Sequence, residues 1–225
     1  MKIQKKLTTP IVMLFLLGFI IFWIFLTDAW GVSKLIFSNH VIVGAYIYGY
    51  ITRIIWLLPA IFLIHKYKKN LSIHLDTLLS KPRLNKFFIL TLSIMAIYCF
   101  VGMFAMNGGF NLNTDNFVYL LIKVLIVGIV EETVFRGWGY NVLCSLTTQK
   151  KAMILSSLMF ALIHCPAYII KFIVYGHFDF LIMLQQFFIA FILGILFCLL
   201  LRKGKSLWCP IIGHSFYDLL TFLML

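Results

Sequence analysis

Residues 117–140 read FVYLLIKVLIVGIVEETVFRGWGY, and the fold turns on whether this stretch crosses a membrane. As a helix it is long enough for a hydrocarbon core about 30 Å thick. A helix also satisfies its backbone within its own segment, which lipid demands. Outward from it, comparable apolar stretches occupy 9–27, 41–64, 87–106, 152–175, 181–201 and 207–224. The chain of 225 residues is 63% hydrophobic and only 12% charged. A soluble domain is roughly half apolar and about a quarter charged. This composition excludes a water-soluble enzyme, a disordered tail and a secreted disulfide scaffold. It predicts an all-α, polytopic transmembrane helical bundle of about seven spans, one membrane domain over 1–225.

The net charge of +12 is not a nucleic-acid footprint. Fourteen of the 19 basic residues lie in four clusters that recur after every second span. They are Lys2, Lys5 and Lys6; Lys66, Lys68, Lys69, Lys81, Arg83 and Lys86; Lys150 and Lys151; and Arg202, Lys203 and Lys205. The alternate connections hold Lys34 and Lys171 beside Asp28, Asp115 and Asp179. That asymmetry sets topology and places the N-terminus in the cytoplasm and the C-terminus outside. The basic start and apolar centre of 9–27 look like a signal peptide, but no small-residue cleavage site precedes Asp28, so the segment reads as a retained span. The connection 65–86 reads as a cytoplasmic segment along the anionic inner leaflet, and 107–116 as a turn-rich outer loop. Trp138 and Tyr140 fit an interfacial aromatic belt. Cys99, Cys144, Cys165, Cys198 and Cys209 are odd in number and widely spaced, so they read as packing residues without disulfides.

Subtracting the loop charges leaves the sharpest signal. Glu131, Glu132 and Asp218 fall inside spans, as do Arg53, Lys123 and Arg136, and these charges sum to zero. An ionised group at the bilayer centre costs at least about 2.5–3.5 kcal/mol, so such groups mark function by default. Glu132 and Arg136 stand at i, i+4 and can meet. Glu131 is rotated by about 100° onto a neighbouring face. One carboxylate can be held by the arginine while the other is free for a task. The fifth span carries Phe160 and His164 at i, i+4, with Pro166 beyond to break the helix. The seventh carries His214 and Asp218 at the same spacing. By helical rise His164 lies about 20 Å from Lys151 and His214 about 13 Å from Lys205, so both share a depth with Glu131 on the cytoplasmic half. His40, His65, His74 and His177 sit near span ends or in connections, where solvation is the default. Lys171 reads as snorkelling outward, and nothing in the sequence accounts for Lys123.

These residues compose motifs. Glu131 to Arg136 reads EExxxR, Phe160 to His164 reads FxxxH, and His214 to Asp218 reads HxxxN/D. Phe191 and Gly194 form a weaker aromatic–glycine pair between them. In this order the set resembles the CPBP family of intramembrane proteases, which covers Rce-type CAAX prenyl endopeptidases and bacterial Abi proteins linked to bacteriocin processing and self-immunity. The likeness covers about 117–222, a protease core; the three N-terminal spans within 1–106 match only in being apolar. One departure is Asp218, where the CAAX endopeptidases carry asparagine and bacterial members vary. An aspartate cannot donate an amide hydrogen bond to an oxyanion, but it can orient His214.

The resemblance implies hydrolysis of a peptide bond in a membrane-associated peptide or protein by glutamate-activated water. Glu131 is then the general base on water, and Glu132 paired with Arg136 positions the site. His164 orients the water or passes protons. His214, oriented by Asp218, stabilises the oxyanion. A zinc ion held by His164, His214 and either Glu131 or Glu132 is the other chemistry open to these residues, although the family leans to water without an obligatory metal. Arg53 either neutralises one of the buried acids or binds a substrate carboxylate. Two further function classes compete: a non-proteolytic immunity or regulatory protein that binds a membrane partner, and a proton-coupled transporter. The full motif set argues against the first of these, and the lack of inverted repeats against the second. Abundant Lys, Ile, Phe and Leu in a short chain suggests a bacterial inner membrane.

Overall fold

The structure is a computed structural model that describes residues 41–107, 117–165 and 178–224, with single positions at 10, 168, 172 and 176. The first apolar stretch, the loop from 108 to 116, and His40, Pro166, Lys171, His177, Asp28, Asp115 and Lys34 lie outside the described residues. The described residues are helical and contain no strand. Helix α1 is Val41–Lys66, α2 is the short Leu75–Leu78, and α3 is Lys86–Asn107. Helix α4, Phe117–Glu132, runs on as a π-helical segment, Thr133–Tyr140, and then as α5, Asn141–Leu146. Helices α6 (Gln149–Leu162), α7 (Phe180–Gly204) and α8 (Trp208–Met224) complete the bundle.

Two of these helices, over Lys86–Ala105 and Phe180–Gly204, are long and apolar enough to cross a membrane. The anticipated span 41–64 is likewise one helix, Val41–Lys66, and the other described spans are shorter α-helices. Helix α4 has 16 residues before its π segment, α8 has 17, and α6 has 14. The fifth span was expected to continue to 175, but its helix stops at Leu162. Pro166 accounts for the stop, because a proline has no N–H to give the Leu162 carbonyl four residues back and its ring would clash there in a helix. Large apolar side chains stay exposed along the outer faces, including Ile54, Leu58 and Phe62 on α1 and Leu90, Ile94, Ile97 and Val101 on α3. In water such a surface would aggregate; in lipid, acyl chains cover it. The molecule is therefore a helical membrane protein.

Inside the bundle, α7 packs chiefly on α6, α8 on α4 and α3, and α1 on the π segment. An aromatic row ties four of these elements together. Trp56 meets Phe135 edge-on with centroids 5.5 Å apart, Phe135 meets Phe160 at 5.1 Å, and Phe160 meets Phe197 at 6.2 Å. Trp138 and Tyr140 do not form an interfacial belt. Both are buried, and Trp138 packs on Tyr67 at 5.8 Å. Their positions in the π segment turn them into the bundle rather than toward a lipid interface.

The basic end is one physical surface. The connection after α1 is clasped to the turns that follow α5 and α7. Asn141 accepts from the Ile73 N–H at 2.6 Å and donates to the Ile73 carbonyl at 2.8 Å. Ser145 donates to the Asn70 carbonyl at 2.8 Å. The Arg83 N–H donates to Gly204 at 3.2 Å and the Leu207 N–H to Leu78 at 2.9 Å, while the Ser206 hydroxyl donates to the Ser80 carbonyl. Gly204 is required here, since a Cβ would strike the Cys209 side chain. Lys205 then caps α7 in left-handed geometry at φ 50°. Three basic clusters that are far apart in sequence thus share one end of the bundle.

Candidate active site

Glu131 and Glu132 are the last two residues of α4, where α geometry gives way to the π segment. Long π stretches are rare and tend to sit at functional sites. Both glutamates are buried. Arg136, from within the π segment, donates through Nη1 to Glu132 Oε1 at 2.8 Å, and neither side chain is exposed. Its Nη2 donates to the Gly194 carbonyl on α7 at 3.3 Å. The guanidinium also lies 4.3 Å from the Phe160 ring centroid and 5.1 Å from that of Phe197. The arginine is thus held by charge, by a carbonyl and by two π faces, which offsets its removal from water.

Helix α8 brings His214 to the same carboxylate. His214 Nδ1 is 2.8 Å from Glu132 Oε1. A carboxylate oxygen accepts, so Nδ1 carries the proton and donates. The opposite nitrogen, Nε2, faces Glu131 Oε2 at 3.8 Å and Asp218 Oδ2 at 3.6 Å. Both separations exceed a direct hydrogen bond. The orienting partner of His214 is therefore Glu132, not Asp218 as its spacing suggested. The i, i+4 pattern gave Asp218 reach, but the shorter bond comes from another helix.

His164 lies in the turn just after α6. Its Nδ1 donates to the Phe160 carbonyl at 2.8 Å, one of the helix-end carbonyls left without an intrahelical partner. The FxxxH spacing thus fixes the ring and leaves Nε2 with its lone pair. The Phe160 ring separates the two imidazoles, with centroids 5.0 Å from His164 and 5.7 Å from His214. His164 stands within electrostatic reach of His214, Asp218 and Arg136.

All six anticipated site residues, Glu131, Glu132, Arg136, His164, His214 and Asp218, are thus brought together. Arg53, on α1, comes within electrostatic reach of Glu131 and Asp218, which fits its neutralising role. Lys123 reaches Arg53 and Asp218, and its Nζ sits 4.1 Å over the Phe222 ring. That supplies the account of Lys123 that the sequence lacked. The remaining intraspan charges therefore gather at the same locus.

Two contributors were undervalued. Gly194 accepts from Arg136, and a Cβ there would come within 2.9 Å of Ser157 Cα on α6. Phe197 stacks on His214 with centroids 4.9 Å and planes 13° apart. The signal was present: Gly194 and Phe197 stand at i, i+3 and share one face of α7. Among so many apolar residues, that spacing alone carried no weight.

The residues do not fit a metal. Among the described residues no three His, Cys, Asp or Glu side chains are arranged to hold an ion. The Phe160 ring stands against both imidazoles, 5.0 and 5.7 Å from their centroids, and His164, His214 and Glu131 or Glu132 do not form such a group. No step below is routed through zinc.

Neither the curated proteins nor the solved structures give a significant match to the chain. A family model described as type II CAAX prenyl endopeptidase Rce1-like matches residues 113–220. That range contains the two glutamates, Arg136, both imidazoles and Asp218. The match supports a CPBP/CAAX-type protease domain over residues 113–220.

Proposed function

We propose that the protein is a multi-pass intramembrane endopeptidase that hydrolyses a peptide bond in a membrane-associated peptide or protein. The observation that carries this reading is the gap between Glu131 Oε2 and His214 Nε2, 3.8 Å across. Two polar atoms at that separation are well placed to share a water. Glu131 takes a proton from this water as it attacks the scissile carbonyl. His214, an imidazolium whose Nδ1–H is held by Glu132, donates from Nε2 to the developing oxyanion, and the Glu132 carboxylate balances its positive charge. Arg136 offsets the charge of Glu132 and fixes its aim. His164 Nε2 is free to accept a proton and pass it toward the leaving amine. Asp218, beside Nε2, balances Arg53 and Lys123 and keeps the region near neutral.

The clasped basic surface supports an orientation with this end in the cytoplasm. The seven-span arrangement, with N-terminus inside and C-terminus outside, follows from that orientation, and so does a site in the cytoplasmic half. The composition supports a bacterial inner membrane. The test is made in cells. Peptide termini are profiled in membranes from cells carrying the wild-type chain or Glu131→Gln at equal abundance. Termini that vanish with Glu131→Gln are the expected result, and identical profiles refute the assignment.

A further inference from the structure

His214 is enclosed on every side but one. Glu132 holds Nδ1 at 2.8 Å, the Phe160 ring meets the imidazole edge-on at 90°, and Phe197 covers its face at 13°. What remains open is Nε2, turned toward Glu131 and Asp218. Phe197 is fully buried on α7, one helical turn beyond the Gly194 carbonyl that receives Arg136. One face of α7 therefore steadies both partners of Glu132: the carbonyl takes the arginine and the ring takes the histidine.

We propose that Phe197 is a positioning residue that acts through His214: its ring fixes the plane of the imidazole, and its π face stabilises the imidazolium that donates to the oxyanion. The inference rests on the hydrolase reading above. Three observations favour it over simple core packing. First, the nearly parallel stack, with centroids 4.9 Å and planes 13° apart, lays the face of the Phe197 ring along the imidazole. It suits a cation, because the ring face is negative. Second, the same ring lies 5.1 Å from the Arg136 guanidinium, so it already serves one cation of the site. Third, of the two phenylalanine rings set against His214, Phe160 stands perpendicular to the imidazole at 5.7 Å and only Phe197 lies parallel to it. No bond forms or breaks at Phe197; its effect is confined to the charge and aim of His214.

The test separates ring electrostatics from ring shape. Full-length protein in liposomes carries phenylalanine, 4-fluoro-, 3,5-difluoro- or 3,4,5-trifluorophenylalanine at position 197. Fluorine barely changes the size of the ring but progressively drains its negative face. The probe is a quenched fluorogenic peptide, drawn from a library, that wild type cuts and Glu131→Gln does not. The expected result is a graded fall in kcat, reaching about 10- to 30-fold at the trifluorinated ring, the scale of a desolvated cation–π contact, with KM unchanged. A flat series beside an inactive Glu131→Gln overturns the role of Phe197 and leaves the hydrolase reading standing. A library that wild type and Glu131→Gln cut alike contradicts the hydrolase reading, and the inference falls with it.

Discussion

Arg136 is the residue whose loss should be felt most in stability, because among the described residues only Arg136 and His214 pair with Glu132. Arg136→Met leaves a buried carboxylate half-compensated and should cost about 3–5 kcal/mol; Arg136→Lys should recover part of that but not the bond to Gly194. Thermal unfolding in detergent measures both, and equal stability of wild type and Arg136→Met would contradict the pairing. At the same scale, a strong chelator should leave cleavage unchanged, since no three described His, Cys, Asp or Glu side chains are arranged to hold an ion. A rate lost to chelation and restored by zinc would show that they rearrange around a metal. The EExxxR, FxxxH and HxxxD spacings made the membership of this cluster legible, because i, i+4 pairs and rare charges in apolar stretches stand out in a sequence. Which group aims at which was not legible. Asp218 sits one turn from His214, but the bond to Nδ1 comes from Glu132, 82 residues away in sequence, and no local spacing encodes a contact between helices.

Helix α7 meets α6 where Gly194 faces Ser157. A valine at 194 would place its Cβ about where Ser157 Cα allows only 2.9 Å. Gly194→Val should therefore push the two helices apart, cost at least about 1–3 kcal/mol, and loosen the carbonyl that holds Arg136. The combined signature is a lower unfolding temperature with a larger loss of cleavage than Gly204→Ala, which disturbs only the basic end. Similar activity for the two variants would deny α7 its place in the site. The helices themselves were readable from apolar runs, whereas the caps of α6 and α7, Thr148 and Asp179, emerged only with the structure. The π segment was not readable. Thr133–Tyr140 contains two glycines and a tightly packed tryptophan, but its extra winding depends on how α1 and α6 pack around it. The same packing turned Trp138 and Tyr140 inward, against the interfacial reading.

At the scale of the whole molecule, the clusters at Lys66–Lys86, Lys150–Lys151 and Arg202–Lys205 are sewn into one surface by side-chain and backbone hydrogen bonds. Asn141→Ala removes both bonds to Ile73 and should cost about 2 kcal/mol at roughly 1 kcal/mol each, visible as faster proteolysis of the 67–85 connection; unchanged proteolysis would mean that the clasp is dispensable. Single cysteines replacing the exposed Lys81, Lys150 and Lys203 in a cysteine-free chain should all resist an impermeant thiol reagent applied from outside the cell. Labelling of all three would invert the orientation. The alternation of basic and acidic connections made this surface foreseeable, whereas the clasp that joins its parts rests on Asn141 and Ser145, polar residues whose partners only the folded chain reveals. The central claim is that buried carboxylates activate water, and oxygen isotopes test it most directly. Purified wild-type protein in liposomes, given its peptide in H2-18O, should release a new carboxyl terminus carrying one heavy oxygen, with Glu131→Gln slower by about 100- to 10,000-fold. Cleavage by Glu131→Gln at the wild-type rate, or a product without the label, would contradict the account.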